Sequence, residues 1–349
     1  MNIIEEDLHS IIEQVGQPIC DLEGSEVLIT GGSGFLGSWY TAIIQTLNKD
    51  YFRTPCKIYS IDSGIATDER NHIVEINDPN ILFRQDDIST IKIEGSVDYI
   101  IHAAGIASPI FYKKYPIETI DGMVLGLSNL MKFAVKNPVK SFFTFSSSEI
   151  YGNPYPEFVP TKETYYGNVS PIGPRSCYDE SKRMEEAMCA AYQRIHNVPV
   201  KWVRPFNISG PGMRRVDDRV LPKFIYGGLE NRPATVHLPG LQTRTLTYIT
   251  DGMVGFLKAM LVGKDGEVYN IGREEEEISI LDLAERVSKV AFDGKMKIEK
   301  IEMPTEYPQD QAQRRCPDVS KAREQLGYDP QVDLDTTILR TKEWAQTKI

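Results

Sequence analysis

Tyr178 and Lys182 stand four residues apart in a stretch of helical spacing, so their side chains share one face of a helix. An ammonium beside a phenol stabilises the phenolate and draws its pKa from about 10 toward the range of a general base. Ser147 adds a hydroxyl just after the apolar run 141–145. The trio can take a proton from a sugar hydroxyl while a bound dinucleotide accepts the hydride of the same carbon.

The place for that dinucleotide is Leu28-Ile29-Thr30-Gly31-Gly32-Ser33-Gly34-Phe35-Leu36-Gly37, which reads as a buried strand, a glycine turn and a helix start. Gly31, Gly34 and Gly37 follow G-x-x-G-x-x-G spacing: one permits the tight turn, one clears space for pyrophosphate, one lets helix pack on strand. Asp62 ends the second apolar strand, where a carboxylate accepts both hydroxyls of an adenosine ribose and repels a 2′-phosphate. The expected cofactor is therefore NAD. Asp87 and Ile88 follow the third strand at the place of the adenine, and Ala103 and Ala104 are small enough for backbone to pass the dinucleotide. Phe35, Leu36, Tyr178 and Lys182 complete the expected cofactor contacts.

Strands at 26–30, 57–62, 81–83, 97–102, 141–145 and 200–203 alternate with helical segments, the pattern of an α/β fold with a doubly wound parallel (Rossmann) sheet. One helix is expected over 119–136 and another after a Ser176 cap, with Met184, Met188, Ala191 and Ile195 on its inner face. Residues 1–24 read as an N-terminal accessory helix, 25–205 as the NAD-binding domain, and 206–349 as mainly a smaller mixed substrate lobe, partly interleaved with the first. The acidic run Glu274–Glu277 reads as a solvated turn.

A net charge of −10 over 349 residues argues against nucleic acid or an anionic membrane as partner. No apolar run is long enough to span a bilayer, and the first residues are acidic rather than basic, unlike a signal peptide. Five scattered cysteines without C-x-x-C pairs support neither a disulfide framework nor a zinc ribbon, and the histidines lack metal-ligand spacing, so no metal is expected. The cytoplasm is the expected compartment.

The chain resembles the extended short-chain dehydrogenases/reductases (the NAD-dependent epimerase/dehydratase superfamily), and within them most closely the UDP-glucuronate decarboxylase branch. The resemblance rests on Gly31–Gly37, Ala107-Ser108-Pro109 with Tyr112, Ser147-Ser148-Glu149-Ile150-Tyr151-Gly152, Tyr166-Gly167-Asn168-Val169 through Arg175-Ser176-Cys177-Tyr178-Asp179-Glu180 to Lys182-Arg183, Gln242-Thr243-Arg244, and Arg314-Arg315 with Pro317-Asp318. It implies oxidation of the sugar at C4, loss of CO2 from C5, and return of the hydride. Tyr178, with Lys182, would be the base and Ser147 would hold the C4 oxygen. Glu149 and Arg244 would orient the sugar, with Ser148 beside them. By the same resemblance Pro109, Tyr112, Asn207, Arg219, Arg244 and Arg315 contact a nucleotide-sugar substrate, a UDP-sugar, and the chain forms a homodimer through the helices at 119–136 and 176–196. An aspartic acid at position 148 would suit a 4,6-dehydratase, and serine is a poor acid for that work. The chain departs from the family at Met123, where asparagine is usual, at Ser209 (tyrosine or phenylalanine) and at Gly212 (arginine). A C4 epimerase, a 4,6-dehydratase and a non-catalytic NAD-binding scaffold are the alternative readings.

Overall fold

Runs such as Val27-Leu28-Ile29 and Ile100-Ile101 have no polar side to turn to water, so they are stable only as parallel strands covered on both faces. The computed structural model describes residues 2–65, 73–75, 77–303 and 312–349. After helix α1 (Ile3–Val15) come β1 (Glu26–Thr30), α2 (Phe35–Asp50), β2 (Lys57–Asp62), β3 (Ile81–Gln85) and β4 (Tyr99–His102). Next are α3 (Pro109–Lys114), α4 (Pro116–Ile120), α5 (Gly126–Lys136), β5 (Ser141–Phe145), α6 (Ser176–His196), β6 (Val200–Pro205), β7 (Ile208–Ser209), α7 (Val220–Leu229) and β8 (Ala234–His237). The chain ends with β9 (Thr243–Arg244), β10 (Thr247–Tyr248), α8 (Ile249–Val262), β11 (Val268–Ile271), β12 (Ile278–Ser279), α9 (Ile280–Phe292), β13 (Ile298–Ile301), β14 (Arg314–Arg315), α10 (Ser320–Leu326) and α11 (Leu334–Gln346).

Seven strands form one parallel sheet in the order β3-β2-β1-β4-β5-β6-β11. The order reverses between β1 and β4, and the crevice beyond their carboxyl ends is where such sheets bind ligands. The turn after β1 is tightly packed there. A Cβ on Gly31, whose φ is +73°, would lie 2.6 Å from the Ala103 carbonyl oxygen. Helix α1 packs along α8 and is pinned by a buried polar knot: Tyr248 Oη donates to Asp7 at 2.6 Å and Arg340 donates to the other oxygen at 2.8 Å.

The smaller lobe surrounds a separate core of Leu221, Phe224, Ile225, Leu283, Val287 and Ile338. Its strands form short sheets, of which β12-β9-β14 matters most for the site. The chain does not leave the main sheet for good after β6, because α8 and β11 return to it before the lobe is completed.

Four sequence expectations change. The helix over 119–136 is instead α4, a wide π-turn at Asp121–Leu125 and α5, and the turn buries Met123 completely. In α6, Ser176 is the first helical residue rather than the cap, and Arg175 precedes it without a capping hydrogen bond. The buried face of α6 is Tyr178, Ser181, Lys182, Glu185 and Cys189, whereas Met184 and Ile195 are 50% and 69% exposed. The apolar stripe misled because the buried face of this helix carries polar groups that find partners inside: Lys182 meets Glu185 and the Phe145 carbonyl, and Glu185 faces His102. The run Glu274–Glu277 is also more than solvated: Glu277 pairs with Arg314, Glu274 with Arg323, and Glu276 accepts the backbone N–H of Leu334.

Candidate active site

Helix α2 begins directly from the glycine turn, with Gly34 at its cap; among the described residues no side chain caps it and no acid occupies its first turn. Its free N–H groups therefore face the crevice with the positive end of the helix dipole, a fit for pyrophosphate. Asp62, at the end of β2, is fixed beside the turn by the backbone N–H groups of Ser33 (3.1 Å) and Gly64 (2.9 Å). These features fit a dinucleotide whose ribose hydroxyls meet Asp62. Asp87 is exposed and its carboxylate accepts from the Ser89 N–H and hydroxyl, while Ile88 is buried under α5.

One cavity of about 750 Å³ runs from the turn into the smaller lobe. Its walls include Gly31, Gly34, Phe35, Leu36, Gly37 and Ala103 at one end, and Ser147, Ser148, Glu149 and Tyr178 in the middle. Pro109, Tyr112, Asn207, Arg219, Arg244 and Arg315 line the rest. Asp62, Asp87, Ile88, Ala104 and Lys182 lie off this surface.

Tyr178 stacks on Tyr112, with ring centroids 5.4 Å apart, and is hydrogen-bonded to Ser147. Burial pushes its phenol well above the ordinary value, against the Ser147 hydrogen bond, and the carboxylates of Glu149, Asp179 and Glu185 add to the rise. The expected lowering by Lys182 is not realised in the protein alone. The ammonium is 6.0 Å from the Tyr178 ring centroid, donates to the Phe145 carbonyl at 2.7 Å and lies 2.8 Å from Glu185. A positive charge brought into the cavity is what would make Tyr178 an effective base.

Beside Tyr178, Glu149 sits among guanidinium groups. Arg175 and Arg315 both reach its Oε2, the latter at 2.7 Å. Strand pairing places Arg315 of β14 opposite Arg244 of β9, so a third guanidinium joins them. Burial pushes the Glu149 carboxyl up, but Arg315, Arg175 and Arg244 outweigh it and hold the group below the usual carboxylate range. Asp179, one turn from Arg175, is pushed up to about 7 by burial and by Glu149. The Arg315 Nε is buried without a hydrogen-bond partner among the described residues, which suits an incoming anion.

Arg219 stands at the junction of the two ends, 5.6 Å over the Phe35 ring and forked onto Asp217. Asn207 lines the same wall and donates to the Thr245 carbonyl at 2.8 Å. Gly212 has φ +94°, a conformation that an arginine would hold only under strain, so the loop is built for glycine. Met123 packs against Tyr112, Ile106, Cys177 and Tyr178, giving this side of the site an apolar wall.

Sequence reasoning gave no role to Arg175, Asp179, Asp217 or Glu185. Arg175 and Asp179 stand four apart around Tyr178, a readable pairing signal; Glu185, three residues from Lys182 on the same helix, carried another.

Residues 27–272 match the family model described as the NAD dependent epimerase/dehydratase family. UDP-glucuronic acid decarboxylase 3 of Arabidopsis thaliana is 37% identical over 309 residues, 88% of this chain and 85% of that one. UDP-glucuronic acid decarboxylase 1 of Xenopus tropicalis is 34% identical over 324 residues, 93% of this chain and 72% of that one. Among solved structures, UDP-glucuronic acid 4-epimerase from Bacillus cereus, in complex with UDP-glucuronic acid and NAD, is similar at TM-score 0.77 and 24% identity, covering 93% of this chain and all of that one (100%). An NAD complex of dTDP-glucose 4,6-dehydratase from Bacillus anthracis reaches TM-score 0.75 at 22% identity, covering 93% and 97%.

A Cβ on Gly37 would meet the Gly31 carbonyl oxygen at 2.2 Å and push the turn apart. Gly37→Ala is expected to weaken dinucleotide binding by about tenfold or more, measured by fluorescence titration. Unchanged affinity would contradict the assignment of the turn.

Proposed function

The chain belongs to the NAD dependent epimerase/dehydratase family, and from that premise we propose that it converts UDP-glucuronate to UDP-xylose and CO2 through a 4-keto intermediate. The observation that carries this reading is the cluster of Arg175, Arg315 and Arg244 around Glu149, next to Tyr178 and with Ser148 rather than an acid between Ser147 and Glu149. Such a wall can hold a sugar carboxylate and offers no proton to a departing C6 hydroxyl.

The glycine turn, the open end of α2 and Asp62 would hold NAD, with Ala103 beneath it. NAD, when bound, would supply a reversible hydride acceptor for C4 and a positive charge near Tyr178. Tyr178 takes the proton of the C4 hydroxyl, and Ser147 hydrogen-bonds the same oxygen. The C4 ketone lies β to the C5 carboxylate, so the carboxylate carbon leaves as CO2 and its bonding electrons pass into an enolate. Arg244 and Arg315 orient the carboxylate until the bond breaks, and Glu149 keeps the two guanidiniums in place. One proton from solution is added at C5, and Tyr178 returns its own to the C4 oxygen. The balance is one carboxylate and one proton consumed for one CO2 and one C–H bond formed. Asn207, Arg219, Pro109 and Tyr112 line the path for the rest of the nucleotide sugar.

Ile117, Ile120, Leu125, Met184 and Ile195 are exposed apolar residues around α4 and α6. We assign this face to a second copy of the chain. Among the described residues no helix is long and apolar enough to cross a membrane, and the five cysteines are unpaired, in keeping with a reducing cytoplasm.

Incubation with UDP-glucuronate and NAD is expected to yield a nucleotide sugar lighter by the mass of CO2, with Tyr178→Phe slower by about 100-fold or more. Unchanged mass with inversion at C4 would make the chain an epimerase, and loss of water a dehydratase. Light scattering is expected to report twice the chain mass of 39.5 kDa; a monomer would overturn the dimer assignment.

A further inference from the structure

Lys182 is held from behind. Glu185, 1% exposed, lies one turn along α6 with Oε2 2.8 Å from the ammonium. On its other side, His102 of β4 places Nε2 3.8 Å from Glu185 Oε1 and Nδ1 2.7 Å from the Thr30 hydroxyl. The result is a buried polar chain from Tyr178 through Lys182, Glu185 and His102 to Thr30, the residue just before the glycine turn. Neither oxygen of Glu185 is in a well-aligned hydrogen bond among the described residues, and His102 Nε2 is likewise unpartnered. The contact with Lys182 is a close ion pair at 2.8 Å. Gly105 and Met123 pack close to the ammonium: a Cβ on Gly105 would sit 2.8 Å from the Met123 methyl and 3.7 Å from Lys182 Nζ.

We propose that Glu185 is a positioning residue that acts on Tyr178 through Lys182, fixing the ammonium and offsetting part of its field, and so sets the pH range in which Tyr178 works as a base. This rests on the reading of Tyr178 as the base. The groups facing Glu185 are Tyr178, Lys182, Glu186 and Cys189 from its own helix and His102 from β4, with the Phe145 carbonyl of β5 behind the ammonium. Burial pushes His102 down to about 3, so it is neutral around pH 7 and adds no competing charge. Burial pushes Glu185 up to about 7, with Lys182 working against it. As Glu185 ionises, its charge makes Tyr178 hold its proton more tightly.

Removing that charge while keeping the ammonium must ease formation of the phenolate. In kcat–pH profiles on UDP-glucuronate, E185Q is expected to move the acid limb about one pH unit lower, whereas E185D, which keeps the charge, stays near wild type. A limb that does not move, or moves up, overturns the proposal, since a merely structural residue would change stability and total rate without moving it. If E185Q does not fold, E185M fills a similar volume without charge and carries the same prediction. A wild type inactive on UDP-glucuronate would count against the proposed function and not against Glu185. The tyrosinate difference spectrum of the NAD-bound protein, with Y178F subtracted, then reads the same shift: a lower Tyr178 midpoint in E185Q supports the proposal and equal midpoints overturn it.

Discussion

Glu149 among its guanidiniums is the interaction on which the rest of the site depends. Its carboxylate ends the turn after β5, Arg175 comes from the segment entering α6, and Arg315 comes from the far end of the chain. One half-buried anion therefore ties the sheet, the helix that bears Tyr178 and the smaller lobe to a common point. Burying such charges is costly, and removing one member would strand the others. Three guanidiniums, Arg175, Arg244 and Arg315, stand against the carboxyls of Glu149 and Asp179, which leaves attraction for a further anion.

The same burial that concentrates these fields works against the base. Tyr178 is enclosed by Tyr112, Met123 and Cys177, and in the protein alone its proton is held more firmly than in water. A positive charge placed beside Tyr178 would favour its phenolate, so in the proposed reaction proton removal would depend on the bound cofactor. Such coupling would suit the geometry, since the glycine turn and Tyr178 line one continuous cleft, with Asp62 held just off it by the Ser33 N–H.

Features set by strict local spacing were legible in the sequence. The turn Gly31–Gly37, Asp62 at the end of β2, and Tyr178 with Lys182 follow from backbone closeness, strand ends and helix periodicity, each a short-range rule. Other features were not. The inner face of α6 is polar because Lys182 and Glu185 pair with each other and with groups of β4 and β5, so counting apolar residues placed Met184 and Ile195 on the wrong side. The π-turn that buries Met123 depends on packing against Gly105 and Tyr178, not on local propensity. Arg244 and Arg315 meet through strand register between distant segments, which a single sequence does not encode in any nearby pattern. Lys182 was read as the partner of Tyr178 alone, because the Phe145 carbonyl that competes for it is brought beside it only by the fold, and Glu185, three residues along the same helix, was not read as its partner.

In the proposed reaction a hydride is borrowed from C4 and returned there while a solvent proton replaces CO2 at C5. Turnover of UDP-glucuronate in heavy water, with the product read by nuclear magnetic resonance, tests this directly. The expected product is a UDP-pentose carrying deuterium at C5, with the original hydrogen kept at C4 and no reduced NAD accumulating. Deuterium at C4, or a product that keeps its carboxylate, would contradict it.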